Sequence, residues 1–386
     1  MRLQHMSYTL ETDHVVQRYI QKHLDTAVQM ILQRLERPPV AILLCGGFGR
    51  GEGTVFKDGQ EVTPVNDYDF VIVTDESTPR PAMLGQEIAK AIAMKLVDIG
   101  FMNLGELTRL APSQWGHDLK YGSRVIFGDD SLLQRLPNCS ADQIPIWDGI
   151  KLLCNRMAGI IGAYYEEPSC QSAPERMRWM TVQVDHILIA CGDAFLITSK
   201  LYHNRYSERV ELLNEKQPLW FTQNEVATIV DAYKRKLSIW DKEFVIREHL
   251  LDKTLSHICP IVEKAYIQSM QEYLGRHLSS LEDAIRGYFN VRSFPPYRRF
   301  KRWLASTLRG RKYYGFECIP AFPVDTCYTL MPLLYFSAPW QAQESTKQKL
   351  AQLVSRYADA RICDVNSGYH KRMSKELYAF WEQYCH

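Results

Sequence analysis

Residues 40–53 read VAILLCGGFGRGEG. Val40 to Leu44 form a short, wholly apolar run, the mark of a strand buried on both faces. Five glycines then fall within eight residues: Gly46, Gly47, Gly49, Gly51 and Gly53. A backbone free of side chains can turn tightly, approach a phosphate and point N–H groups at it. Arg50, inside the cluster, could add a charge to the same phosphates. The plainer reading is a tight strand–helix turn with a surface arginine.

Upstream, Val15, Tyr19, Leu24, Val28, Ile31 and Leu35 recur at helical steps, which predicts one amphipathic helix over residues 11–36. Pro38 and Pro39 stop it. Downstream, a polar excursion with Lys57-Asp58-Gly59 reads as a turn. The run DYDFVIVT, Asp67 to Thr74, reads as a second strand. A helix over 82–95, a third strand over 96–102, a helix over 104–115 interrupted near Pro112 and a fourth strand over 123–127 complete this half. Beyond about residue 144 long helical patterns dominate, at 147–165, 175–200, 222–238, 243–272, 342–358 and 370–384, with a loop over 166–174. The predicted fold class is α+β: a small mixed-sheet domain over 1–140, followed by a mainly α-helical domain over 141–386.

The 386 residues are 46% hydrophobic and 23% charged, an ordinary globular mix that excludes disorder and low complexity as the dominant state. The net charge of +2 excludes a dedicated nucleic-acid coat, but it hides an asymmetry. From Phe289 to Phe316 there are eight basic residues and no acidic one. Arg292, Arg298, Arg299, Lys301, Arg302, Arg309, Arg311 and Lys312 are interleaved with aromatics, the pattern of a segment that holds RNA or a phosphorylated ligand at 292–312. The same pattern suits an interfacial helix on an anionic membrane, or an amphipathic helix with a solvated basic face. Ten cysteines without a C-x-x-C pair read as reduced, mostly buried thiols. With no apolar leader at the N-terminus and no run of ~20 apolar residues, the expectation is a cytoplasmic protein with no transmembrane segment.

The chemistry can be tested by register. G-x-G-x-x-G fails from Gly47, Gly49 and Gly51, and the P-loop fails because Glu52 stands where a lysine is required. On the second strand, Asp67 and Asp69 are two apart and share a face, with Tyr68, Phe70 and Ile72 on the other. Adjacent carboxylates repel unless a counter-charge joins them. A divalent ion would supply it, and hard oxygen donors favour Mg²⁺ or Mn²⁺ over zinc. In the third strand Asp98 points opposite to Val97, Ile99 and Phe101 and is a candidate third ligand. Glu106 and Asp118 are rival carboxylates. Two solvent-facing aspartates at a strand start, and a third on a half-exposed strand, are the bland alternatives.

Together these pieces resemble the polymerase-β-like nucleotidyltransferase superfamily, in its minimal and antibiotic nucleotidyltransferase members. Gly46-Gly47 and Arg50 stand in the glycine-helix position, Asp67-x-Asp69 in the paired-acid slot, and Asp98 in that of the third acid. Gly47 replaces the frequent serine, and the gap to Asp67 is longer than usual. The segment Asp118 to Arg124 looks like material near the nucleotide site of such proteins. The likeness covers about residues 38–130.

The resemblance implies a nucleotidyltransferase that moves an NMP group from an NTP to a hydroxyl of a small-molecule acceptor and releases pyrophosphate. Asp67, Asp69 and Asp98 would be catalytic and would bind Mg²⁺ or Mn²⁺. Gly46, Gly47, Arg50, Ser123 and Arg124 would bind the nucleotide. Asp193, in an apolar helix, would be a general base, against the plainer reading of a buried aspartate held by the backbone. Protein or RNA acceptors, and a non-catalytic nucleotide-binding module, are the alternatives.

Overall fold

A computed structural model describes residues 7–10, 12–59, 61–75, 81, 83–165, 172–240, 245–292, 323–357, 375 and 377–378. The chain divides into two compact units. The first comprises residues 1–148, 199–217 and 230–244, and the second the remainder. A single cut near residue 140 therefore does not describe the division: the chain returns twice to the first unit after residue 148.

In the first unit, α1 (His14–Arg34) starts where the Asp13 carboxylate accepts from the Val15 and Val16 N–H groups. β1 (Ala41–Leu44) leads into α2 (Gly46–Arg50). Next come β2 (Val55–Asp58), β3 (Glu61–Pro64), β4 (Tyr68–Thr74), α3 (Leu84–Ala91) and β5 (Val97–Asn103). The short α4 (Leu104–Leu107), α5 (Gln114–Gly122) and β6 (Arg124–Gly128) follow. The main sheet has the order β5–β4–β1–β6. β1 is antiparallel to both neighbours, while β4 and β5 run parallel, so the sheet is mixed as expected.

Alternation divides the sheet into two faces. Ile42, Leu44, Tyr68, Phe70, Ile72 and Val97 pack on Val16, Ile20, Leu24, Ala27 and Ile31 of α1 and on Leu84 and Ile88 of α3. Ala41, Leu43, Cys45, Val71 and Val73 form a second core with Leu107, Leu119, Leu132 and Leu136. Asp69 and Asp98 share parity with this second set, so both carboxylates belong to the face opposite α1.

The excursion at 57–59 is more than a turn. β2 and β3 pair antiparallel around Gly59, whose φ is +62°. Trp240, buried at the end of a chain return, donates its N–H to Val55 O and accepts from Lys57 N–H, extending this hairpin. Two strands of four residues with only half their positions buried carry too little apolar periodicity to be read locally. The segment 104–115 splits at Pro112 into α4 and α5. α8 (Tyr206–Lys216) has too weak an apolar pattern to be expected from the sequence.

The second unit is helical, with α6 (Ile146–Tyr165) and α7 (Ala173–Thr198) followed by α10 (Leu251–Leu274), α11 (Leu281–Arg292), α12 (Pro323–Phe336) and α13 (Glu344–Tyr357). α9 (Gln223–Leu237) spans the division, so its first residues belong here. α10 begins eight residues later than the pattern from 243 implies, after a 3₁₀ turn at Glu248–Leu250. α7 is long and apolar enough to cross a membrane, and 94% of its most apolar window is buried inside the protein. The helix expected over 370–384 and the basic stretch lie almost wholly outside the described residues.

Candidate nucleotide and metal site

Asp69 and Asp98 are register partners on the parallel pair β4–β5. Asp67 stands two residues before Asp69, at the entry to β4. Asp98 is exposed, while Asp67 and Asp69 are half-buried. Burial pushes the Asp69 carboxyl up to about 7, and the neighbouring charges of Asp67 and Asp98 push in the same direction. Arg50 and Lys236 pull it back, so these five charged groups form one electrostatic neighbourhood.

The β1–α2 junction lies against it. Cys45 N–H donates to Asp69 O at 2.8 Å, tying the junction to β4. Gly46 has φ +61°, and a Cβ there would lie 2.0 Å from Asp69 Oδ2. Only glycine fits that position, for conformation and for space. Burial also raises the Cys45 thiol, up to about 12, so it stays protonated and packs as part of the second core.

Arg50 is held in a network of opposed charges. Its side chain is only 6% exposed, with Nη1 3.6 Å from Asp118 Oδ2 and Nε 3.9 Å from Glu52 Oε2. Gly122 lets it lie flat, since a Cβ there would meet Arg50 Cγ at 2.9 Å. Arg209, 1% exposed, is 3.5 Å from Asp118 Oδ1 and donates to Tyr202 Oη at 2.6 Å. Both guanidinium groups stack on the Tyr206 ring, at 4.7 Å for Arg50 and 4.6 Å for Arg209. Glu52, also buried, caps α8: Tyr206 N–H donates to it at 2.7 Å and Ser207 N–H at 3.1 Å. The buried charges therefore balance, two arginines against two carboxylates.

Arg124, which the resemblance assigns to the nucleotide, bonds to backbone carbonyls of the first unit. Its Nε donates to Gly49 O at 2.9 Å and its Nη2 to Ser7 O at 3.0 Å, so it braces the α2 backbone. Ser123, just before β6, lines a pocket of about 550 Å³ with Gly49 and Arg50. Asp193 belongs to α7 of the second unit, where it is buried, and is not among the residues this unit gathers.

The sequence did not single out Glu52, Asn66, Lys236, Tyr206 or Arg209. Lys236, buried near the end of α9, donates to Asn66 Oδ1, directly before the paired acids. The local signal for the others was the run YHNRYSER, Tyr202 to Arg209, which alternates rings with guanidinium groups.

The donor set suits a hard divalent ion: three carboxylates, beside a Cys45 thiol that burial keeps protonated. The raised Asp69 carboxyl is the repulsion such an ion would relieve. Among the described residues, however, no three His, Cys, Asp or Glu side chains converge closely enough to ligate one ion. Compared with protein-family models and with curated proteins, the chain finds no match in either.

Proposed function

We propose that this chain is a nucleotidyltransferase that moves an NMP group from an NTP to a hydroxyl of a small-molecule acceptor, with pyrophosphate leaving. The observation that carries this reading is the register pairing of Asp69 with Asp98, on the face where Gly46 meets the Asp69 carboxylate. Carboxylates forced together at the mouth of a side-chain-free turn suit cation and phosphate chemistry better than they suit stability.

Asp67, Asp69 and Asp98 would hold Mg²⁺ or Mn²⁺. Such an ion, when bound, neutralises the triphosphate and lowers the pKa of an attacking hydroxyl. Gly46 and Gly47 allow a phosphate to approach the backbone without a Cβ in the way. Arg50 contributes positive charge from a fixed, buried position, its stem held under Gly122 and its head on Tyr206. The neutral form of Asp69 dominates below about pH 7, so ion binding there displaces a proton.

The test is transfer itself. Each α-labelled NTP is incubated with Mg²⁺ and with cell extract separated into small-molecule, RNA and protein fractions. Wild type is compared with Asp69→Asn and Asp98→Asn. Label in the small-molecule fraction, lost in both variants, is the expected result. Label confined to RNA or protein would replace the acceptor class. No label in any fraction, or equal label from the variants, would overturn the reading.

A further inference from the structure

We infer that Lys236 is the resident counter-ion of the paired acids: its ammonium supplies a built-in cation beside Asp67 and Asp69, and a divalent ion must share the carboxylates with it. This role rests on the metal site of the proposed transfer and governs how readily that site loads.

Three basic residues end α9: Lys234, Arg235 and Lys236. Lys234 is exposed, the ordinary position of a lysine, whereas Lys236 is only 6% exposed. A buried ammonium is costly unless polar groups and opposite charge receive it. The chain around it is fixed from several sides. Thr54 Oγ1 donates to Lys236 O at 2.6 Å, and Thr54 O accepts from Val65 N–H at 2.9 Å. Trp240 Nε1 donates to Arg235 O at 2.7 Å, and Trp240 N–H to Val55 O at 2.7 Å. All of these residues belong to the first unit. From this frame Lys236 Nζ donates to Asn66 Oδ1, on the residue directly before Asp67. Its charge is felt at Asp69: burial and the neighbouring acids raise that carboxyl, and Arg50 and Lys236 act against them.

Arg50 is set against Asp118 and Glu52, as Arg209 is against Asp118, so the two arginines have carboxylates of their own. Lys236 instead brings positive charge to the entry of β4, where the paired acids begin. An ammonium is a compact point charge, the side-chain group most like a metal ion. With its backbone bonded on both sides, it stays in the neighbourhood when an ion arrives, and the two cations repel. Lys236 therefore has two effects. Without an ion it relieves the repulsion among Asp67, Asp69 and Asp98. With one it weakens the hold of the acids on that ion.

The test turns on a sign. Loss of a merely structural lysine would weaken ion binding, whereas loss of a resident counter-ion should strengthen it. Mn²⁺ is titrated into the full chain and followed by electron paramagnetic resonance, at fixed ionic strength and about pH 8.5, where the proton on Asp69 no longer competes. The proteins are wild type, Lys236→Met, Lys236→Arg and Lys236→Met/Asp69→Asn, each checked for folding by circular dichroism. Lys236→Gln replaces Lys236→Met if methionine unfolds the chain. Lys236→Met should bind Mn²⁺ about tenfold more tightly than wild type. Lys236→Arg keeps the charge and should stay within about twofold of wild type, and Lys236→Met/Asp69→Asn should lose the gain. In chelator Lys236→Met should melt below wild type, and Mn²⁺ should raise its melting temperature by more. Equal, weaker or absent binding in Lys236→Met, or a gain that survives Asp69→Asn, overturns the role of Lys236. If Lys236→Met gains affinity while wild type transfers no label from any NTP, the counter-ion stands and the transfer reading falls. If label is transferred but Mn²⁺ affinity ignores Lys236, the transfer reading stands and the counter-ion falls.

Discussion

The backbone of Gly46 and the carboxylate of Asp69 compete for one place: a Cβ on Gly46 would sit 2.0 Å from Asp69 Oδ2 and 3.0 Å from its Cγ. The glycine at position 46 is thus fixed by a side chain 23 residues away.

Gly46→Ala should destabilise the first unit by about 1–3 kcal/mol, from the left-handed φ of +61° together with the overlap. In an Asp69→Ala background the overlap goes, because the nearest remaining Asp69 atom, Cβ, is 3.6 Å away. The same glycine substitution should then cost less. Denaturant unfolding of the four proteins gives the coupling directly, and a cost that is equal in both backgrounds would contradict it.

Addition of Mg²⁺ should raise the melting temperature of wild type and leave Asp69→Asn unmoved. The effect should grow as pH rises through about 7, because the ion competes with the proton that burial and the neighbouring acids keep on Asp69. Thermal melts with and without chelator, on either side of that pH, are the measurement. Equal stabilisation of the variant would place the ion elsewhere.

Glu52→Ala should cost more than an ordinary surface change. It removes the acceptor for Tyr206 and Ser207 N–H, a cap worth about 1–2 kcal/mol, and leaves two buried arginines facing one carboxylate. Glu52→Gln keeps an acceptor but not the charge, so it should fall between wild type and alanine. The readout is urea unfolding, with faster amide exchange in α8.

His23 makes stability depend on pH in a defined direction. It is 8% exposed, packs on the Tyr19 ring at 4.2 Å and lies 3.3 Å from Tyr68 Oη. Burial, with Lys22 beside it, holds its pKa below the ordinary 6.5. The unfolded chain therefore binds a proton that the folded one refuses. Stability is full above 6.5 and is lost as pH falls below it. His23→Gln should remove this part of the slope between about pH 8 and about pH 5.5, as read from melting temperatures.

Much of the first unit was legible because its signals are local. The apolar run at 40–44 and the alternation Tyr68, Phe70, Ile72 against Asp69 fix strand and face without outside help. Asp98 followed from the same two-residue period, and the structure places it opposite Asp69. What was not legible depends on distant partners. Glu52 reads only as the acid that breaks the P-loop pattern until α8 arrives, 154 residues later, to be capped by it. Nothing near Arg124 in the sequence announces its bonds to Gly49 O and Ser7 O, 75 and 117 residues away. The β2–β3 hairpin is similarly mute, since Trp240 supplies what two short strands lack.

The residues that reach back to this unit also set a timetable. Thr54 Oγ1 donates to Lys236 O, Asn66 accepts from Lys236, and Trp240 bonds to Val55, all linking the region around the paired acids to chain beyond residue 230. On a ribosome, the first 148 residues therefore emerge with these bonding groups still facing water. The acids are braced only once α6 to α9 have been made, so a translational pause or a truncation before residue 240 would leave the β2–β3 hairpin and the entry to β4 without these bonds, their polar groups exposed to chaperones and proteases.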